Sequence, residues 1–211
     1  VRSDPDMLAC FLVFRQLFTP PGRDRLLRAR DESGLVNGVP IEVVEDLNTQ
    51  IRDLDAFGSL SVLELRLFMA NTLLRDGDFM SMSHGLEVRV PFLDHHIADF
   101  VFGVESGMKR DRHIPKPLLV QAVGDLLPRE IWQRPKMGFM LPWDLWLRQR
   151  LRAQIDELLH SFPEDNALGL HMANCRILWH KFLGAAPGVT WARVWAIHVL
   201  LSWCARNMAV A

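Results

Sequence analysis

The chain has 211 residues, 49% of them apolar, and its formal net charge at pH 7 is −1. This length is enough to bury a core in one domain or one and a half, so the sequence predicts a globular protein rather than a tail or linker. Because the charge is nearly balanced, no overall field attracts nucleic acid or a membrane surface, and we expect any phosphate to be bound by a local site.

The first half of the chain is predicted to be helical. A helix begins at Asp4-Pro5, where a capping carboxylate precedes a proline with helical φ, and Pro20-Pro21 ends it. A short basic helix is predicted over 23–30. An amphipathic helix follows over 40–57, and Ser59 is predicted to cap the next helix, which extends to about residue 74.

Between Asp76 and Asp94 the helical period fades, and Gly85 and Pro91 predict a loop that includes a short extended piece over 86–90. Asp94 is predicted to cap a helix that ends near Phe102. Four further helices are predicted, over 116–127, 143–160, 171–183 and 190–207. The last is apolar nearly all round, which predicts burial on most sides, and the fold class is predicted to be all-α.

The three cysteines, Cys10, Cys175 and Cys204, are scattered without a C-x-x-C pair. This pattern favours buried thiols and a reducing, cytoplasmic location. The longest apolar stretch, over 194–204, is shorter than the roughly 20 residues that span a bilayer, so we expect no membrane contact. Since the chain begins at Val1, we expect it to be a piece of a longer polypeptide.

Five charged residues lie close together in the polar segment, namely Asp76, Asp78, Glu87, Arg89 and Asp94. If the segment is partly buried, this cluster requires neutralisation by internal partners or by a ligand. Glu87 and Arg89 point the same way on an extended piece and can lock a loop. A structural network and a ligand site are both consistent with this pattern.

A second candidate is the hexapeptide Arg134-Pro135-Lys136-Met137-Gly138-Phe139. Pro135 stiffens the backbone, Gly138 allows close approach to a bound group, and Lys136 would present a compact cation suited to phosphate. A lysine between proline and glycine is also common on protein surfaces. Taken singly, neither segment identifies a function.

Other chemical motifs are absent from the sequence. His84, His95 and His96 have no metal-ligand spacing, because adjacent histidines point to different faces of a helix, and we expect no metal site. The chain contains no glycine-rich phosphate loop, no G-x-S-x-G motif and no basic and aromatic interleaving typical of single-strand binders.

Three stretches taken in order resemble the C-terminal synthetase domain of glutamine-dependent asparagine synthetases: residues 71–76, residues 80–94 and residues 134–142. The run over 81–94 is highly specific to that family, and the resemblance covers roughly residues 60–206. It implies the helical C-terminal portion of an α/β PP-loop synthetase domain. Such domains adenylate aspartate with ATP, and glutamine-derived ammonia then gives asparagine, AMP and pyrophosphate.

The resemblance also implies roles for particular residues. Lys136 matches the lysine that contacts the ATP phosphates, and Glu87 matches an acid that helps to shape the pocket for the reacting carboxylate. Asp78 stands where an acid often braces the site. The resemblance further implies pocket support by four neighbours, namely Asp76, Arg89, Asp94 and Gly138.

Several parts of such an enzyme are not in these 211 residues: the pyrophosphate loop, the adjacent acidic motif and the glutaminase cysteine. The resemblance therefore implies upstream nucleotide-binding and glutaminase domains as partners, with ATP and Mg bound mainly by them. We expect a helical insert over 1–58, active-site helices and loops over 59–142, and a C-terminal helical bundle over 143–211. We also expect an exposed apolar patch, and a homodimer is possible.

Two alternatives stay open. The same adenylation chemistry acts on another carboxylate in β-lactam-forming, peptide-cyclising, polysaccharide and secondary-metabolite relatives. A non-catalytic helical docking module is the third hypothesis, although Glu87, Arg89 and Lys136 occurring together in one chain argue against it.

Overall fold

A computed structural model describes residues 6–28, 34–135, 137–138 and 141–208. In this part of the chain the regular secondary structure is helical apart from one short hairpin, which confirms the predicted fold class. The α-helices are α1 Met7–Arg15, α2 Pro20–Leu26, α3 Ile41–Ile51, α4 Ala56–Leu63, α5 Leu74–Met82, α6 His95–Gly103, α7 Pro117–Val123, α8 Arg129–Trp132, α9 Trp143–Arg148, α10 Arg152–Ser161, α11 Met172–Leu183 and α12 Trp191–Asn207. A π-helix spans Glu64–Leu73, and 3-10 turns span Pro91–Leu93 and Gly124–Leu126.

The chain forms two compact units, each with its own core. The first contains the described residues of 1–14 and 34–137, and the second contains those of 15–33 and 138–211. In the first unit α1, α3 and α4 enclose a small core of four buried side chains, Leu8, Phe11, Leu47 and Leu63. Burying side chains of this size contributes about 1.5–3 kcal/mol each.

The second unit has the larger core, to which α2 and α9–α12 contribute. Its fully buried side chains include Leu147, Ile155, Trp179, Phe182 and Leu201. The segment after α2 is tied to the loop before α11, since the N–H of residue 28 donates to the carbonyl of residue 169 at 2.7 Å, and the N–H of residue 171 donates to the carbonyl of residue 26 at 2.8 Å. These bonds fix α2 against α11.

The strands lie where the sequence did not predict them. A hairpin pairs β1, Leu35–Val36, with β2, Val39–Pro40, through Asn37 and Gly38. Both turn residues have positive φ, 53° and 85°, as a two-residue type I′ turn requires. The predicted extended piece over 86–90 has no ladder partner among the described residues, so it is extended but is not part of a sheet.

Asp55 begins α4, and the predicted cap Ser59 does not. The Asp55 carboxylate accepts the N–H of Gly58 at 2.7 Å and the hydroxyl of Ser106 at 2.9 Å. These hydrogen bonds lower the pKa of Asp55, the bond from Gly58 contributing most. Ser59 is buried in the second turn of α4. The predicted helix over 40–57 is divided at residues 52–55, because α3 ends at Ile51 and Asp55 caps α4.

Three further predictions need correction. The predicted helix over 143–160 is broken between Arg148 and Arg152. The helix α12 buries one face only, and Trp203 on its other face is 58% exposed. Cys175 and Cys204 are buried as predicted, whereas Cys10 is exposed. The predicted start at Asp4-Pro5 and the end of the basic helix lie outside the described residues.

The helices α4 and α5 and the π-helix between them form one continuous helix, Ala56–Met82, of 27 residues. By length and composition it would suffice to cross a membrane, which corrects the expectation that 194–204 is the longest apolar candidate. Charged residues interrupt it, including Glu64 and Arg66, and charges near a bilayer centre are costly. Core helices outside membranes pass the same test, so this observation assigns no membrane role.

Candidate functional site

The polar segment begins as a helix rather than as the predicted loop. The helix α5 continues through Asp76 and Asp78 to Met82. Residues two apart on a helix differ by about 200° in direction, so these two carboxylates point to opposite faces. Both residues are exposed. The structure therefore does not bring Asp76 and Asp78 together as one pair of acids.

A Schellman motif ends α5 and directs the chain into the extended piece. The N–H of Leu86 donates to the carbonyl of Ser81 at 3.0 Å, and the N–H of Gly85 donates to that of Met82 at 2.9 Å. Gly85 has a φ of +68°, the left-handed conformation that this motif requires and that glycine adopts without strain. Gly85 thereby fixes where residues 86–90 start.

Glu87 and Arg89 form an ion pair on this extended piece. Nη2 of Arg89 lies 2.7 Å from Oε1 of Glu87, so the two side chains point the same way, as their spacing predicts. The Glu87 side chain is 68% exposed and that of Arg89 is 84% exposed. The pair is therefore a solvated one in this chain, and exposed pairs of this kind contribute little to stability.

Asp94 caps α6, as predicted. Its Oδ1 accepts the N–H of His96 at 2.9 Å. With Gly85 at one end and Asp94 at the other, the segment over 86–93 is anchored between two helix ends. This arrangement is a common one for loops that carry functional side chains.

The second candidate segment is only partly described. Lys136 and Phe139 lie outside the described residues, so the role of Lys136 at the ATP phosphates stays a prediction. Met137 is 91% exposed. A Cβ added to Gly138 would meet no described residue within 4 Å, so no contact in the described part of the chain requires glycine there. The chain passes from the first unit to the second between Met137 and Gly138.

The expectation that His95 and His96 point to different faces of a helix is wrong. The two imidazole rings lie 3.8 Å apart, so adjacent histidines do not point apart here. Among the described residues, the side chains of Asp94, His95 and His96 are the one group whose ligand atoms, all within 4.8 Å of one another, could hold a metal ion. However, Oδ1 of Asp94 already caps α6, and the positive end of that helix disfavours a cation. We therefore assign no metal there.

Large apolar side chains are exposed between residues 73 and 102. They are Leu73, Phe79, Met80, Met82, Leu86, Val88, Val90, Phe92, Phe100 and Phe102. An apolar groove in the same unit is lined by side chains of α4, α6 and α7, with Lys109 and Lys116. Exposed apolar surface on this scale is typical of an interaction site, as the sequence predicted.

The π-helix that leads into α5 had no sequence signal. The N–H of Leu74 donates to the carbonyl of Met69, five residues back, and the amide of Asn71 donates to the carbonyl of Arg66 at 3.0 Å. Arg66 also pairs with Asp46 of α3 at 2.9 Å. π-Helical turns are frequent at functional sites, and here the turn sets the direction from which α5 emerges.

Comparison with known proteins decides the family. The model of the family described as asparagine synthase matches residues 13–205, most of the chain. The chain belongs to the asparagine synthase family. No solved structure matches it.

Curated relatives of this family are much longer than the chain. Over 124 residues the chain is 24% identical to asparagine synthetase [glutamine-hydrolyzing] 1 of Bacillus subtilis, an alignment that covers 59% of this chain and 20% of the relative. Over 140 residues it is 31% identical to asparagine synthetase 3 of the same organism, with 61% and 22% covered. Amidase chry2 of Gibberella zeae is 32% identical over 113 residues, with 48% and 16% covered. The chain therefore spans about a fifth of the asparagine synthetases that it matches.

Proposed function

We propose that this asparagine synthase chain is the C-terminal part of an ATP-dependent ligase that adenylates aspartate and transfers glutamine-derived ammonia to it. The observation that carries the proposal is the order of the segments over 71–94 and 134–142 within a family match that covers 13–205. Relatives named glutamine-hydrolyzing asparagine synthetases support this substrate set.

The proposed reaction places charge where Lys136 is expected. An oxygen of the aspartate side-chain carboxylate attacks the α-phosphorus of ATP, a new P–O bond forms, and the bond to pyrophosphate breaks. Ammonia then attacks the activated carbonyl carbon, a C–N bond forms, and the C–O bond to AMP breaks with its electron pair leaving on AMP. The ammonia nitrogen loses one proton to solvent to give the amide. In the first step negative charge grows on pyrophosphate, so an ammonium held there stabilises the transition state more than the ground state.

Glu87 is proposed to organise the carboxylate pocket rather than to act as a free base. Its Oε1 lies 2.7 Å from Nη2 of Arg89, and this contact orients the carboxylate. The anchoring of the segment by Gly85 and Asp94 supports this role, since a positioning residue requires a fixed backbone. Asp76 and Asp78, on opposite faces of α5, would support the pocket separately.

The upstream nucleotide-binding half is the proposed partner of the apolar surface around 73–102. Burying Phe79, Phe92 and Phe100 against that half would stabilise the assembly by about 1.5–3 kcal/mol per side chain. The glutaminase domain, which supplies ammonia, would belong to the same upstream region.

Magnesium is implied by ATP chemistry of this family, and the described residues do not suit it. Mg²⁺ prefers an octahedral set of oxygen ligands, whereas the one candidate group here is Asp94 with two imidazoles. The carboxylates of Asp76 and Asp78 diverge on α5. We therefore assign any magnesium that accompanies ATP to the upstream half and derive no step from it.

A second candidate function keeps the adenylation and changes the acceptor. It is favoured by relatives that carry the name amidase: chry2 of Gibberella zeae, and chyE of Penicillium rubens at 28% identity over 136 residues. A carboxylate other than aspartate would then be activated. A docking module without catalysis is the remaining alternative, and it would show no ATP-dependent step.

The test joins this chain to the upstream region of asparagine synthetase 1 of Bacillus subtilis and measures pyrophosphate release from ATP. We expect release that depends on aspartate and on glutamine or ammonia. A panel of other carboxylates separates the two ligase candidates, because a changed acceptor would release pyrophosphate with one of them and not with aspartate.

Binding of ATP to the 211-residue chain alone gives a second readout that does not depend on a working chimera. Calorimetry should show little binding, because the nucleotide loop is expected upstream. Tight ATP binding by the chain alone, or a folded chimera that releases no pyrophosphate with any carboxylate, would contradict the proposal.

A further inference from the structure

The second unit contains a cleft that no part of the proposed ligase mechanism uses. Its walls come from α2, α11, the loop after α11 and the start of α12. Three basic side chains line it, namely Arg25, Lys181 and Arg193, and among the described lining residues there is no aspartate or glutamate. The cleft therefore concentrates positive charge without internal compensation.

Arg193 is held in place by the protein itself. Its Nε donates to the carbonyl of Leu17 at 2.7 Å, and its Nη1 donates to the carbonyl of Gly188. The guanidinium also lies 5.9 Å from the centre of the Phe18 ring. Because these partners are neutral, the cation keeps its full charge while its position is fixed.

Arg25 and Lys181 differ from Arg193 in having no such carbonyl partners. Neither side chain forms an ion pair with a carboxylate of the described residues, although other arginines of this unit do so. Arg28 pairs with Asp165 at 3.1 Å, and Arg176 pairs with Glu164 at 3.1 Å. Two exposed cations therefore remain available at the edge of the cleft.

The cleft is preformed, because its walls are tied together by backbone hydrogen bonds. The bonds between residues 26–28 and residues 169–171 hold α2 against the start of α11. The side-chain amide of Asn174 on α11 also donates to the carbonyl of Arg25. A site whose walls need no reordering loses less free energy when a ligand binds.

Apolar side chains form the rest of the lining. They include Leu26, Ile177, Leu178 and Val189, and Ile177 is 50% exposed. We propose that this cleft binds a small organic phosphate, with the phosphate between Arg25, Lys181 and Arg193 and an apolar body against these side chains. Lysine and arginine together are well suited to phosphate, and apolar walls with a few placed polar groups are typical of small-molecule sites.

The test is calorimetric titration of the 211-residue chain with 1-naphthyl phosphate, compared with 1-naphthol and with inorganic phosphate. We expect the ester to bind more tightly than either comparison compound, and we expect added KCl to weaken it. Arg25→Gln and Lys181→Gln should each weaken the ester by about fivefold, and together by about 25-fold if the sites act independently. Both side chains are exposed, so these variants should fold.

Arg150→Gln is the matched control, since it removes the same charge from an exposed arginine of the same unit outside the cleft. It should leave binding unchanged. The proposal is overturned if 1-naphthol or inorganic phosphate binds as tightly as the ester. It is also overturned if the double variant binds the ester as well as Arg150→Gln does, or if the ester does not bind at all.

Discussion

At the scale of single residues, the buried indole N–H of Trp179 is satisfied by a hydrogen-bond acceptor on a neighbouring helix. The Trp179 ring is buried in the second unit, and its Nε1–H donates to the carboxylate of Asp156 on α10. Asp156→Ala would leave this N–H without a partner in the core. We expect a loss of about 1–3 kcal/mol in the free energy of unfolding, measured by urea denaturation.

Asp156→Asn is the control for that measurement, because an amide oxygen can still accept the hydrogen bond. It should retain most of the stability that Asp156→Ala loses. Equal losses in the two variants would show that the negative charge, and not the hydrogen bond to Trp179, is what matters.

Glu164 is the residue from which we expect a pH dependence. Burial opposes its ionisation, but the N–H of Ala173 and the charges of Arg28 and Arg176 outweigh that effect and lower its pKa. A carboxylate with a lowered pKa in the folded state stabilises the protein above its unfolded pKa, and this contribution is lost as the pH falls through the folded value.

We therefore expect Glu164→Gln to be less stable than the natural chain at neutral pH, with a difference that shrinks below about pH 4.5, the unperturbed value for glutamate. Chemical denaturation across pH 3–7 measures it. Glu157→Gln, at an exposed glutamate of α10, is the control and should give no such trend. A difference for Glu164→Gln that grows on acidification would contradict the account.

At the scale of elements, Gly77 inside α5 and Gly85 just after its end provide a matched pair. Gly85 has a φ of +68°, so Gly85→Ala should cost about 1 kcal/mol through backbone strain. Gly77 lies inside the helix with open space at its Cβ position, so Gly77→Ala should stabilise by about 0.5–1 kcal/mol. Thermal unfolding compares them, and a shift in the same direction for both would contradict the Schellman assignment.

The sequence predicts elements well where their ends carry a specific chemical signal. Asp94 before α6 is an example, because its carboxylate caps the helix as predicted. The spacing of Glu87 and Arg89 predicted that they point the same way, and the structure pairs them with each other. The prediction that Ser59 caps this helix was wrong because Asp55, four residues earlier, is the better acceptor for the free N–H groups of α4. The hairpin at Asn37 was missed although its Asn-Gly turn was a usable signal.

Other features could not be predicted from local sequence. The π-helix has the same apolar composition as an α-helix, so residue period does not reveal its hydrogen bonds to the fifth residue back. The exposed face of α12 depends on which helices pack against it, and local sequence does not specify that. The basic cleft joins Arg25 to Lys181 and Arg193, which lie far apart in sequence and meet only through tertiary packing.

At the scale of the whole molecule, the two units should differ in stability. In the described part of the chain the first core has four buried apolar side chains, and the second has fourteen. More buried apolar area gives more stability, so amides of α11 and α12 should exchange hydrogen more slowly than those of α3 and α4. Exchange followed by mass spectrometry measures both units at once.

Substitutions that create a cavity in one core at a time test whether the two units unfold separately. Leu47→Ala and Leu201→Ala remove fully buried side chains, one from each unit, and such changes cost about 2–5 kcal/mol. Each variant should accelerate exchange in its own unit only. Acceleration of both units by either variant would show that the chain unfolds as one cooperative body.

We propose that Lys136 contacts the ATP phosphates in the completed enzyme, and the rate of pyrophosphate release reports on this contact. In the chimera that carries the upstream region, Lys136→Ala should lower aspartate-dependent pyrophosphate release by about 10²–10³-fold, as loss of a charge-stabilising contact does. Arg150→Ala, at an exposed arginine elsewhere, should leave the rate unchanged. An unaltered rate for Lys136→Ala in a folded, active chimera would contradict the account.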